Sequence, residues 1–147
     1  MLNDYITFNS ARFVKDYYKC KRIVEELQRQ LDELTYIRSV PTDADKVQTS
    51  PKGDQVEKLA LRRMAIEERM HDCNLHIEAY ETARDYLLPI EKTVIEEFFT
   101  SDTKQDATDK LEDKGISRST AYIIRKQALE KIALHVAGVS HIEKRGE

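Results

Sequence analysis

The sequence predicts an all-α protein: a long antiparallel helical hairpin, coiled-coil-like, followed by a C-terminal helix-turn-helix bundle. Three observations predict it. Apolar residues return every three or four positions along two long stretches, the period of a helix face. Only four Gly and three Pro occur in 147 residues, too few to turn the chain between many short strands. Hydrophobic residues at 40% and charged residues at 35% fit a soluble, helix-rich chain.

The first helix is read from Phe13, Tyr17, Cys20, Val24, Leu27, Leu31 and Leu34, which step by four and three as a heptad seam. The segment RSVPTDADKVQTSPKGDQ follows, with Pro41, Pro51 and Gly53 among polar residues, and is expected to be a loop over about 39–54. A second seam runs through Leu59, Ile66, Met70, Cys73, Ile77, Tyr80 and Leu87, interrupted by Arg63 and Arg84. Pairing the seams makes residues 1–87 a hairpin and an oligomerisation region. Tyr18, Ile23, Tyr36, Ile37 and Leu61 lie outside the seams, and this uncovered apolar surface predicts a homodimer. A two-fold dimer would read two half-sites and multiply the affinity of a single module.

Residues 88–138 are expected to form the helix-turn-helix domain, with 139–147 a tail. LLPIEKTVIEEFF is one helix, and QDATDKLEDKGISRSTAYIIRKQALEKIAL is a helix, a turn and a second helix. Gly115 can take the positive φ that ends a helix, Ile116 can plug back into the core, and Ser117 can cap a new helix starting at Arg118. At about 100° per residue, Ala121, Ile124, Ala128 and Ile132 share one face, while Ser119, Tyr122, Ile123 and Lys126 point elsewhere. From Arg118 to Lys131 there are four bases against one acid, a net of +3; from Asp85 to Lys114 there are four bases against nine acids, a net of −5. The last helix is the one electrostatically suited to phosphate.

These residues carry a resemblance. Leu88-Pro89, Glu91, Val94-Ile95, the Gly115-Ile116-Ser117 turn and Ala128-Leu129 with Lys131-Ile132 resemble region four of bacterial sigma factors, over about a third of the chain. A longer stretch, Val40 to Gly138, resembles the RinA and ArpU type of late transcriptional regulators from phages of Gram-positive bacteria. That likeness rests on Pro41-Thr42-Asp43, on Glu91, Ile95, Phe98 and Phe99, and on Ile116-Ser117 with Thr120-Ala121 before a basic helix. It implies a sequence-specific activator of packaging and virion-assembly genes. Two departures are visible: Glu112, Asp113 and Lys114 lengthen the connection between the paired helices, and Ile123 stands where a polar or basic reader is usual.

In this reading Arg118, Ser119, Tyr122 and Lys126 meet base edges and the groove, since the N-terminal part of a recognition helix does so. Ile123 touches either a thymine methyl or a partner protein. Arg125 and Lys131 are phosphate clamps, or else pair with Glu130 or the helix end. Tyr17, Tyr80, Phe98 and Phe99 fall on apolar stripes and are core residues. The expected partners are double-stranded DNA and host RNA polymerase, the latter met by the acidic surface between Asp85 and Asp113 or by the hairpin.

Other classes fit less well. His71 and Cys73 are about 200° apart on a helix and His71 and His76 about 140°, so they do not converge on one metal ion. No glycine-rich phosphate loop, nucleophile setting or carboxylate pair is legible, so neither a cofactor nor an enzyme is expected. Cys20 and Cys73 make no disulfide framework, and MLNDYITFNS lacks the features of a signal peptide, so a cytoplasmic protein without a membrane span is expected. A net charge of −3 and a pI near 5.9 require any DNA contact to come from a local patch. Two rivals stay open: a small terminase subunit, whose helix-turn-helix usually precedes its oligomerising helices, and a protein-binding antirepressor or polymerase-binding factor.

Overall fold

The computed structural model describes the backbone of residues 8–39 and 51–141 and the side chains of residues 8–35 and 53–141. The protein is all-α: α1 (Ser10–Ser39), α2 (Pro51–Arg84), α3 (Pro89–Thr100), α4 (Lys104–Asp113) and α5 (Arg118–Ala137). Among the described residues the β-type pairing is one isolated bridge, Phe8 with His141. Pro41-Thr42-Asp43 and the side chains of Tyr36 and Ile37 lie outside the described residues. Residues 51–54, expected as the end of a loop, instead form the first turn of α2, which begins at Pro51. Proline suits that place: its fixed φ is helical, and a first-turn N–H has no intrahelical partner to lose.

The chain divides into two compact units, one of residues 20–75 and one of residues 1–19 with 76–147. In the first, α1 and α2 share a core of Leu27, Leu34 and Ile66, flanked by Ile23, Leu31, Leu59 and Met70. The loop-proximal ends of the two helices meet, with Leu34 lining one hollow together with Val56, Leu59, Ala60 and Arg63. Arg63 tolerates its seam position by turning outward to Glu67, 3.0 Å away. Cys73 is buried and Cys20 half-buried.

The second unit takes in residues on both sides of position 87, the boundary expected from sequence. Ala11, Val14 and Tyr17 of α1 and Tyr80 and Ala83 of α2 belong to one core with Leu87, Ile95, Ala128, Leu129 and Ile132. A heptad seam reports that a helix face is buried but not what buries it. Here the face is aromatic: the Tyr17 and Tyr80 rings lie 4.2 Å apart, and the guanidinium of Arg84 sits 5.9 and 5.8 Å from their centroids. The charge at Arg84 is thus held over π faces. Burial pushes the Tyr18 phenol up to about 12, with Glu96 adding to it, and pushes the Tyr80 phenol up further.

The ends of this unit are tied together. Asn9 caps α1 by accepting the Arg12 N–H at 3.0 Å. The buried Ser10 hydroxyl donates to the Leu129 carbonyl at 2.7 Å, and the Ser10 N–H donates to His141 Nδ1 at 3.0 Å. The His76 ring lies tilted 4.2 Å from the Phe13 ring with its Nε2 2.9 Å from the Phe13 carbonyl, while His71 is exposed. No helix among the described residues is long and apolar enough to cross a membrane.

Candidate nucleic-acid interface

Three short helices present the candidate surface. Pro89 opens α3, and the Glu91 carboxylate reaches back to the Leu88 N–H at 2.8 Å, one half of a capping box. Thr103 caps α4 by accepting the Asp106 N–H at 3.0 Å. Val94 and Phe98 of α3, Ala107 and Leu111 of α4, and Ala121 and Ile124 of α5 close a common core, with Phe99, Ile116 and Tyr122 packed on it.

The connection from α4 to α5 is built as its residues require. Gly115 has φ +87°, its N–H donates to the Glu112 carbonyl at 2.9 Å, and the Ile116 N–H donates to the Leu111 carbonyl at 2.9 Å. This pair of bonds is the Schellman ending, and Ile116 and Leu111 pack in the same core. Ser117 then caps α5, accepting the Thr120 N–H at 3.4 Å and donating its hydroxyl to Thr120 Oγ1 at 2.8 Å. Glu112 and Asp113 do not lengthen the connection, because they lie inside α4 and leave Lys114 to Ser117 as the turn. Replacing Gly115 with Ala is expected to cost about 1 kcal/mol, the strain of a left-handed backbone with a Cβ, since nothing stands within 4 Å of the added atom. Urea unfolding reads this, and Gly115→Asn should recover part of the loss; an unchanged midpoint for the alanine variant would contradict it.

Ala121, Ile124, Ala128 and Ile132 are all buried, so the inward face of α5 is the one its periodicity indicates. Of the residues assigned to base edges, Arg118, Ser119, Ile123 and Lys126 are exposed, Ile123 at 58%. Tyr122 is half-buried with its ring 5.2 Å from Phe98, so much of its surface is committed to packing. Helical spacing places Ser119, Ile123 and Lys126 within an arc of about 60°, with Arg118 to one side in the first turn. Gln127 is exposed on the neighbouring arc and was not singled out from sequence. Its i+4 spacing from Ile123 is the signal that finds it, and its amide could pair with an adenine edge. Glu130 and Leu134, the latter 66% exposed, share this side.

Both residues expected at phosphates have partners within the fold. Arg125 is 7% exposed, and its guanidinium lies 5.4 Å from the centroids of both Phe98 and Phe99. It sits four residues after Ala121 and three before Ala128, so the helix carries it inward with the apolar stripe. Lys131 pairs with neither Glu130 nor the helix end. Its Nζ meets Glu91 Oε1 at 2.7 Å, and that carboxylate is 3% exposed. A buried carboxylate needs a compensating cation, and the half-exposed lysine supplies one while keeping contact with water. Lys114 is likewise paired, 2.9 Å from Glu97. The +3 of the α5 segment therefore reduces, on its open side, to Arg118 and Lys126 against Glu130, a net of +1.

No family model, curated protein or solved structure matches this chain.

Proposed function

We propose that the chain is a sequence-specific DNA-binding transcriptional regulator, acting as a homodimer in a bacterial host and activating phage or prophage late genes. The observation that carries this reading is the exposed side of α5: Arg118, Ser119, Ile123 and Lys126 stand clear while the opposite side packs on α3 and α4. A helix held in this way fits a major groove about 12 Å wide. Arg118, Ser119 and Lys126 meet base edges and the groove, and Ile123 meets a thymine methyl. The resemblance to RinA and ArpU type regulators supports late genes as the target, and the acidic residues of α4 offer polymerase a surface without repelling DNA from α5.

The test is selection of bound fragments from the source genome by the wild type and by an Arg118→Ala/Lys126→Ala variant at one salt concentration. One intergenic site enriched by the wild type, with the variant weaker by about 100-fold, is the expected result; two lost polar contacts at about 1–3 kcal/mol each account for it. Affinity for that site should fall steeply with salt, and less steeply in the variant. Equal enrichment by both proteins, or none, overturns the reading.

One observation favours a protein partner instead: Ile123 and Leu134 are large, apolar and exposed on the same side of α5. Binding to purified polymerase that is insensitive to salt, in a protein that enriches no DNA site, would decide for that alternative.

A further inference from the structure

The helix α2 has two apolar faces. Ile66, Met70 and Cys73 face the core of the residue 20–75 unit. About 170° around the helix, Leu61, Met64 and Leu75 are 59%, 64% and 53% exposed, with Glu68 and His71 exposed between them. The spacing of Leu61, Met64, Glu68, His71 and Leu75 alternates three and four, so all five fall within about 80° of arc, the width of a coiled-coil seam.

From this we infer that the outer face of α2 is a self-association surface, pairing antiparallel with α2 of a second copy about an axis between Arg69 and Met70. The inference rests on the homodimer in the reading above and names its interface. The sequence of the face selects the partner, because its stretch from Met64 to Leu75 is a palindrome in chemistry. Turned about that axis, Met64 meets the partner's Leu75, Leu75 meets the partner's Met64, and each Glu68 carboxylate meets the partner's His71 ring. One register thus pairs Met64, Glu68, His71 and Leu75, four of the five seam residues, twice, as an isologous two-fold interface requires, while Leu61 at the end of the seam lies opposite the partner's Glu78 and outside the matched segment. A parallel pairing would stack Glu68 on the partner's Glu68 and His71 on the partner's His71, leaving the seam carboxylates opposed. The flanks agree with the antiparallel choice, since Glu67 comes near the partner's Asn74 and Ala65 near the partner's Asp72, with no like charges facing. An unrelated apolar partner would give no reason for the symmetry.

The test is the mass of the full-length protein by light scattering across micromolar concentrations, for the wild type, Met64→Glu, and Met64→Glu/Leu75→Lys. Met64 is exposed, so the single variant should keep wild-type helicity by circular dichroism. A dimeric wild type, a single variant weakened by about 100-fold in dimer affinity, and recovery in the double variant are expected, because the new carboxylate and the new ammonium meet only in the antiparallel register. A dimeric wild type with a dimeric Met64→Glu variant overturns this interface and leaves the homodimer standing on another surface. Loss in the single variant without recovery in the double overturns the register. A monomeric wild type overturns both the interface and the homodimer.

Discussion

Replacing Leu129 with Ala is expected to lower the unfolding free energy by about 3 kcal/mol, the middle of the range for a fully buried leucine. Leu129 is 0% exposed and belongs to the core where residues of α1, α2, α3 and α5 meet. The cavity would open in the core that also holds Tyr17 and Tyr80, whose ring centroids lie 4.2 Å apart. Backbone restraint adds to the effect, since the Leu129 carbonyl is held by the buried Ser10 hydroxyl. A small domain has about 5–15 kcal/mol in total, so the loss should appear as a large fall in the urea midpoint. A change below about 1 kcal/mol would mean that this core is not packed as described.

Arg125→Ala is the second large effect, and it separates a structural arginine from a DNA contact. The guanidinium lies over Phe98 and Phe99, and removing it strips both rings of their cover, at an expected cost of about 2 kcal/mol. Arg125→Met should keep more of the packing and lose less. Neither variant should change the steepness with which DNA affinity falls with salt, because a buried side chain releases no counterions. The contrary result is distinct: stability unchanged and a salt slope shallower by about one would return Arg125 to the phosphate backbone. Lys126→Ala, next along the chain but exposed, should show that second pattern.

The all-α class, the buried face of α5 and the turn at Gly115 were legible because each rests on local chemistry. A helix repeats its face every three or four residues whatever lies opposite, and a glycine between a helix and a capping serine closes a turn with bonds to its own neighbours. Arg125 was half legible. It lies on the stripe formed by Ala121, Ala128 and Ile132, so its spacing points inward while its charge is of a kind that usually stays in water.

Other features were not local and could not be read along the chain. Lys131 is held by Glu91, 40 residues away, and Ser10 by Leu129, 119 residues away. Which charges of α5 remain open to a ligand depends on these distant partners, since an ion pair forms wherever folding brings two groups within a few ångströms. The same holds for the boundary between units: the seams of α1 and α2 are continuous in sequence, and only the packing of α3 and α5 against Ala11, Val14 and Tyr80 divides them. Periodicity decides which side of a helix is buried, because helical geometry is intrinsic to the backbone. What occupies that side, and which polar groups it neutralises, is settled when the helices meet.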